Sequence, residues 1–143
     1  KRINSHARAA YALERTMGYM KESTEFGKSL DNYQALSHNL ADMLSEIEKA
    51  KCFNYAIAEE LDNSLYPVKE ASMSKLVSTK IAGEVIYKCL QYLGGYGYIE
   101  EYPLARMSRD SRLGPIGGGT SEIMREIIAK LILDGKDYKP AAK

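Results

Sequence analysis

Tryptophan is missing from this chain, and phenylalanine, cysteine and histidine occur twice each. So few sulfur and imidazole ligands leave nothing to build a zinc site from: Cys52 and Cys89 form no CxxC pair, and His6 and His38 stand alone. Each cysteine lies in an apolar helical stretch, so both are expected as reduced core residues. No apolar run approaches the roughly 20 residues that span a bilayer. The opening "KRINSHARAAYALERTMGYM" is helical in pattern and shows no targeting segment, so a cytoplasmic, bacterial-type location is expected. Charge of one sign is lacking too. Twenty basic and nineteen acidic residues give a net +1, which favours neither nucleic acid nor an anionic membrane surface as partner. There is no internal repeat and no strand-like alternation.

What remains is one domain's worth of chain. A hydrophobic content of 45% and a charged content of 27% are globular values. The chain begins in mid-helix with no initiator methionine or cap, so it is expected to be a fragment of something longer. Ile3, Ala7, Ala10, Leu13, Met17 and Met20 recur at steps of four and three, one face of a first helix. It should end near "STEFGKSLDN", with Gly27 as the stop and Asp31 with Gln34 as a capping box for the next helix. That second helix carries Leu36, Leu40, Met43, Leu44 and Ile47, and continues through Phe53 and Ile57 to about Leu61. Pro67 suits the first position of a third helix, whose apolar residues include Met73, Leu76, Val77, Ile81, Val85, Ile86, Cys89 and Leu90. Gly94 and Gly95 should stop it. Residues 94–119 show no helical period, and a fourth helix is expected from Thr120 to about Leu133, with Ile123, Ile127, Ile128 and Leu131 on one side. Residues 134–143 read as a loose tail. The expected architecture is all-α: an antiparallel four-helix bundle with a long Gly-rich loop before the last helix.

A structureless loop of that length is usually functional. "QYLGGYGYIEEYPLARMSRDSRLGPIGGGTSE" combines flexible backbone, clustered tyrosines and the charged residues Arg109, Asp110 and Arg112. One reading is a turn-rich crossover in which Arg109 and Asp110 form a structural ion pair. The other starts from the glycines: backbone amides at a helix entrance form an anion site, and glycine lets a phosphate come close. "GPIGGGTSE" is no Walker A loop, since no Gly-Lys-Ser/Thr follows, and "GGYGY" follows a helix where a dinucleotide turn follows a strand.

"QYLGGYGYIEEYPLARMSRDSRLGPIGGGTSEIMREIIAK" resembles the C-terminal region of the acyl-CoA dehydrogenases: Gln-x-x-Gly-Gly, a glycine–aromatic pair, Glu-Tyr-Pro, Arg-Asp, and Gly-Thr-x-Glu-Ile opening the last helix. "EFGKSLDNYQALSHNLADM" is similar to the family's Phe-Gly-Lys…Gln…Leu-Ala-Asp stretch. The resemblance implies a C-terminal helical domain of a larger flavoenzyme, whose N-terminal helical and middle β-domains are not in this chain. It implies FAD, held between the middle and C-terminal domains and across a subunit interface. It also implies an acyl-CoA substrate dehydrogenated to a trans-2-enoyl-CoA, an electron-transfer flavoprotein as partner, and a homo-oligomer, dimer or tetramer.

Residue by residue, Gln91, Gly94 and Gly95 match positions that meet the adenylate end of FAD from the neighbouring subunit. Phe26 and Gln34 match further flavin-contacting positions, with ordinary packing and capping as the alternative. Thr120 and Glu122 match the pair at the last helix that contacts the dinucleotide, and Gly119 a backbone position near the acyl thioester.

Two departures stand out. Ser23 occupies the place where most of the family has an arginine facing the flavin pyrophosphate. Gly118 occupies the place where many members carry the catalytic glutamate, so no catalytic residue is assigned within the chain. In the long-chain and isovaleryl branches the base lies on the domain's first helix, at a position that falls a few residues upstream of Lys1. Glu100, Glu101 and Glu122 match non-catalytic positions. The alternatives are a non-dehydrogenating relative lacking the base, or a helical oligomerisation module whose glycine loop is structural. With only part of a cofactor site, the isolated chain is expected to show neither dehydrogenase activity nor tight FAD binding. Fluorescence titration of the purified chain with free FAD checks this, and tight stoichiometric binding would contradict it.

Overall fold

A computed structural model of the chain describes residues 4–63 and 66–135. The helix α1 spans Asn4–Glu22, α2 Gln34–Asp62, α3 Val68–Leu93, α4 Gly95–Tyr98, α5 Pro103–Ser111 and α6 Ser121–Asp134. Between α1 and α2 lie two-residue strands, β1 (Thr24–Glu25) and β2 (Lys28–Ser29), and a 3-10 turn at Leu30–Asn32. The result is a helical bundle in which α3 packs against every other helix. No helix among the described residues is long and apolar enough to cross a membrane.

The long helices stand where their periodicity puts them, but the first is rotated. Ala7 and Ala10 are exposed, while His6, Ala9, Ala12, Leu13, Thr16 and Met20 are buried; Ile3 lies outside the described residues. The buried face admits polar groups because each finds a partner, as when the Thr16 hydroxyl donates to the Ala12 carbonyl at 2.8 Å. Leu44, Val77 and Ile123, expected on apolar faces, are exposed, and so is Cys52. Cys52 lies off the stripe formed by Ile47, Ala50, Asn54 and Ile57, which is the side of α2 turned inward. Cys89 is a core residue, and burial pushes its thiol pKa up.

Four boundaries differ from expectation. α1 ends at Glu22, and Gly27 belongs instead to a hairpin in which Thr24 pairs with Ser29 and Glu25 with Lys28. Phe26 and Gly27 form its turn with φ of 51° and 78°, positive at both central positions, as the tightest hairpins require. Asp31 caps nothing: its carboxylate accepts from the Ser29 hydroxyl at 2.5 Å, and Tyr33 at the N-cap of α2 makes no side-chain capping bond. Pro67 stands one residue before α3 begins. The 94–119 segment holds two helices, α4 and α5, so the irregular stretch before α6 shortens to residues 112–120. α4 is a product of packing, since Gly-Tyr-Gly-Tyr has weak helix propensity. A Cβ at Gly97 would lie 2.5 Å from the Leu90 carbonyl oxygen, so only glycine lets α4 fold back onto the end of α3. Of the expected tail, residues 136–143 lie outside the described residues.

The core of α3 has two zones. Ile81, Val85, Ile86, Cys89 and Leu93 face the apolar centre, whereas Ser72, Ser74, Lys75, Ser78 and Thr79 are buried along its first half. There the Asn54 amide donates to Ser78 Oγ at 3.1 Å and to His6 Nδ1 at 3.1 Å, and its carbonyl accepts from the Ser74 hydroxyl. Among the described residues no buried side-chain polar atom lacks a partner. With Nδ1 accepting, His6 must be neutral. Burial first, then the Lys51 charge, lower its pKa from 6.5, against an opposing pull from Glu48. Below pH 6.5 the unfolded chain therefore binds more protons than the folded one, and stability is lost as pH falls through the folded-state pKa. The melting temperature should fall from pH 7 towards about pH 5, with a shallower fall in His6→Gln, whose amide oxygen accepts without titrating. Parallel acid limbs for the two proteins would contradict this.

Candidate functional site

The entrance to α6 is shaped by its backbone. Thr120 is the N-cap, and its hydroxyl accepts from the Ile123 amide at 3.3 Å. Before it, the Ser121 amide donates to the Pro115 carbonyl at 2.9 Å, closing residues 116–120 into an outward excursion. Gly114 seats this excursion against α3, since a Cβ there would lie 3.2 Å from the Thr79 methyl. Gly118 and Gly119 have φ of 66° and 93°, a region that side chains rarely adopt. Around Gly118 the space is open, whereas a Cβ at Gly119 would come within 2.7 Å of Met124 Cε. The Gly119 carbonyl turns inward and accepts from the Lys75 ammonium. The amides of Gly118, Gly119 and Thr120 meet no acceptor among the described residues.

Glu122, in the first turn of α6, is no proton acceptor in waiting. A backbone hydrogen bond at its own residue, then the Thr120 hydroxyl, then Arg125 and Arg112 hold its carboxyl below the usual range. Glu100 is likewise ionised, held low by the Arg109 guanidinium, which it meets at 2.7 Å. That contact corrects the expected Arg109–Asp110 pair: Glu100 faces Arg109 from the α4–α5 turn. The pair is exposed and screened, so it adds little stability.

The remaining expected residues lie at the other end of α3. Gln91 is exposed on its last turn, and Gly94 ends it at φ 55° with its amide on the Gln91 carbonyl at 3.2 Å. Gly95 opens α4. Gln91, Gly94, Gly97, Tyr87 and Tyr98 line a shallow depression of about 250 Å³. Phe26 tips the hairpin 96% exposed, and Gln34, also exposed, begins α2. The hairpin follows the end of α1, where Tyr19 meets Tyr96 of α4 at 5.8 Å between ring centroids, so this group shares one end of the bundle. Lys75, which holds Gly119, is sixteen residues from Gln91 on the same helix, about 24 Å along the axis.

The expected residues thus form two groups: Phe26, Gln34, Gln91, Gly94 and Gly95 at one end, Gly119, Thr120 and Glu122 at the other. A cavity of about 770 Å³ between α1 and the start of α5 is lined by Tyr11, Arg15, Leu93 and Tyr102 among others and contains none of them. Sequence reasoning missed Lys75. A lysine in a helix ordinarily reads as solvated, and the signal available was its register, four before buried Thr79 and seven before buried Ala82. Among the described residues no cluster of three or more His, Cys, Asp or Glu could hold a metal.

Comparison with known proteins assigns the fold. The family described as acyl-CoA dehydrogenase, C-terminal domain, matches residues 2–133. The chain belongs to that family. It is 40% identical over 122 residues to the caffeyl-CoA reductase-Etf complex subunit CarC of Acetobacterium woodii, covering 85% of this chain and 32% of that protein. The crystal structure of an acyl-CoA dehydrogenase from Geobacillus kaustophilus superposes with a TM-score of 0.88 at 36% identity, covering 90% of this chain and 34% of that one. A glutaryl-CoA dehydrogenase from Mycobacterium smegmatis, solved in complex with FADH2, superposes at 0.86 with 28% identity, covering 95% and 35%. The chain therefore spans about a third of the length of these relatives.

The glycine geometry of this acyl-CoA dehydrogenase domain sets a stability test. Gly118→Ala should cost about 1 kcal/mol, the left-handed penalty alone. Gly119→Ala should cost about 2 kcal/mol, because its methyl also displaces Met124. Urea denaturation of both variants gives the comparison, and equal losses would remove the packing component.

Proposed function

We propose that residues 1–143 form a single domain, the antiparallel four-helix bundle at the C-terminus of a larger FAD-dependent acyl-CoA dehydrogenase. In this reading the parent belongs to the long-chain/isovaleryl-like branch and oxidises an acyl-CoA to a trans-2-enoyl-CoA. One observation carries it: the family's cofactor positions occur here as two groups about 24 Å apart along α3. A cofactor site shared across a subunit interface takes one group from each of two chains, so it suits a homo-oligomer.

The residues present fit a flavin dinucleotide. Left-handed glycines strip side chains from the entrance to α6 and leave three successive amides unpartnered within the described residues. An ionised Glu122 suits a ribityl or ribose hydroxyl rather than a phosphate. At the other end, exposed Gln91 and the bare Gly94–Gly95 backbone suit the adenylate part, with Phe26 and Gln34 beside it. Bound there, FAD supplies the hydride acceptor. This chain's residues orient it and the thioester; because Gly118 offers no carboxylate, the base in this reading is a glutamate upstream of Lys1. An electron-transfer flavoprotein as redox partner is supported by CarC, a relative whose name places it in an Etf complex. The isolated domain is inactive in this reading.

The shared site has a direct test in the longer protein. Gln91→Ala and Thr120→Ala should each lower flavin per subunit. Hybrid dimers made from one subunit of each variant should recover about half the wild-type flavin: one site then carries both lesions and the other none. Hybrids no better than either parent variant would place both residues on the same site of one chain. Unchanged flavin in the single variants would favour a helical interaction module.

A further inference from the structure

Lys75 is 8% exposed, and its ammonium donates to the Gly119 carbonyl. Lysine is among the residues least often buried, and desolvating its charge costs several kcal/mol unless polar partners compensate. A methionine would fill the same volume without that cost, so the charge calls for a reason beyond packing.

Peptide geometry supplies one. All described peptide bonds are trans. In a trans peptide the C=O and the next N–H point in opposite directions across one rigid plane. Lys75 draws the Gly119 oxygen toward α3, so the Thr120 N–H across the same plane points away from α3, out of the bundle. That amide has no acceptor among the described residues. A cation on the carbonyl oxygen also polarises the peptide and makes its N–H a stronger donor. Glycine at 119 is what permits the orientation, with φ at 93°. One turn along α3, Thr79 packs on Gly114, so the helix grips the excursion at two points.

We infer that Lys75 is a positioning residue: it fixes the Gly119–Thr120 peptide so that the Thr120 amide is presented as a hydrogen-bond donor to an oxygen of a bound molecule. This rests on the proposed function, which offers two sources of that oxygen: the dinucleotide cofactor and the acyl thioester carbonyl. Lys75 touches neither. It acts through the backbone it holds.

The experiment uses the longer protein with Lys75→Met, which keeps length and loses both charge and donor, and Lys75→Arg, which keeps both. Two quantities are read: the Kd of the apoprotein for FAD, and KM and kcat for acyl-CoA in FAD-saturated protein. Lys75→Met should weaken one by about tenfold, the worth of one well-placed hydrogen bond, with Lys75→Arg restoring most of it. A raised FAD Kd with unchanged KM assigns the oxygen to the cofactor; a raised KM or lowered kcat with unchanged FAD Kd assigns it to the thioester. Folded Lys75→Met with all three constants within about twofold of wild type overturns the inference, as does a tenfold loss that Lys75→Arg fails to reduce. If Lys75→Met does not fold, Lys75→Gln, a neutral donor, is judged by the same readouts. Gln91→Ala separates the two levels. If it leaves flavin content unchanged, the underlying reading fails; if it lowers flavin while Lys75→Met changes nothing, only the role of Lys75 fails.

Discussion

One helix, α3, touches all the others, so its surface has to satisfy five neighbours along one axis. It does so by dividing its length. The second half offers branched and small apolar side chains to α1 and α2, where burial alone supplies the contact. The first half offers hydroxyls and an ammonium, which hold only if each is matched. Asn54 of α2 matches the serines, His6 of α1 matches Asn54, and the Gly119 carbonyl matches Lys75. A polar block of this kind is more demanding than an apolar one, because a misplaced partner leaves a buried group unsatisfied. It therefore fixes register: α2 cannot slide along α3 without stranding Asn54, and the entrance to α6 cannot drift without taking the Gly119 carbonyl from Lys75.

That demand explains why the glycines before α6 are ordered rather than slack. A run of glycine alone would be entropically free. Here the Pro115 carbonyl, Thr79 and Lys75 hold it from three sides, and the Thr120 cap fixes the exit. The freedom of glycine is used for conformation and access: φ beyond the reach of other residues, and no side chain over the amides. Gly118 illustrates the separation of roles. Its surroundings would admit a side chain, and only its φ opposes one. A side chain at 118 is thus opposed by backbone conformation and not by lack of room.

What could be read from the sequence follows the length of the signal. α2 and α3 carry many turns of apolar recurrence, and their limits were legible to within a residue or two. α5, nine residues long, and α4, four residues of Gly-Tyr-Gly-Tyr, carry too little period to stand out from a loop. The hairpin was illegible for the same reason, since two-residue strands show no alternation; its one mark was Gly27, because nothing in a phenylalanine announces the positive φ of Phe26. Cys52 and Leu44 were misplaced because apolar character was read as burial, whereas the stripe through Ile47, Asn54 and Ile57 excludes them. The site residues came from a motif, and a motif carries no distances. It could not show that Gln91 and Thr120 stand at opposite ends of one helix. Nor could it show Lys75, whose significance lies in a carbonyl forty-four residues away.

The separation of the two groups bears on why such a domain exists as a bundle. A helix of this length is a rigid spacer, since its hydrogen bonds lie within itself and its register is pinned on every side. If each end of α3 serves a different copy of the same cofactor, the distance between two sites in an assembly is set by a single helix. Sites built this way share stability with the interface: a ligand bridging two chains favours the assembled form by its own binding free energy. The exposed Phe26, in a left-handed conformation at the tip of a hairpin, suits the same logic. An aromatic ring 96% in water, on a strained residue, gains nothing for the lone domain. In the proposed assembly, burial against a second chain would recover that residue's hydrophobic contribution; within the chain the short hairpin is tied by the Tyr33 hydroxyl, which donates to the Glu25 carbonyl at 2.7 Å.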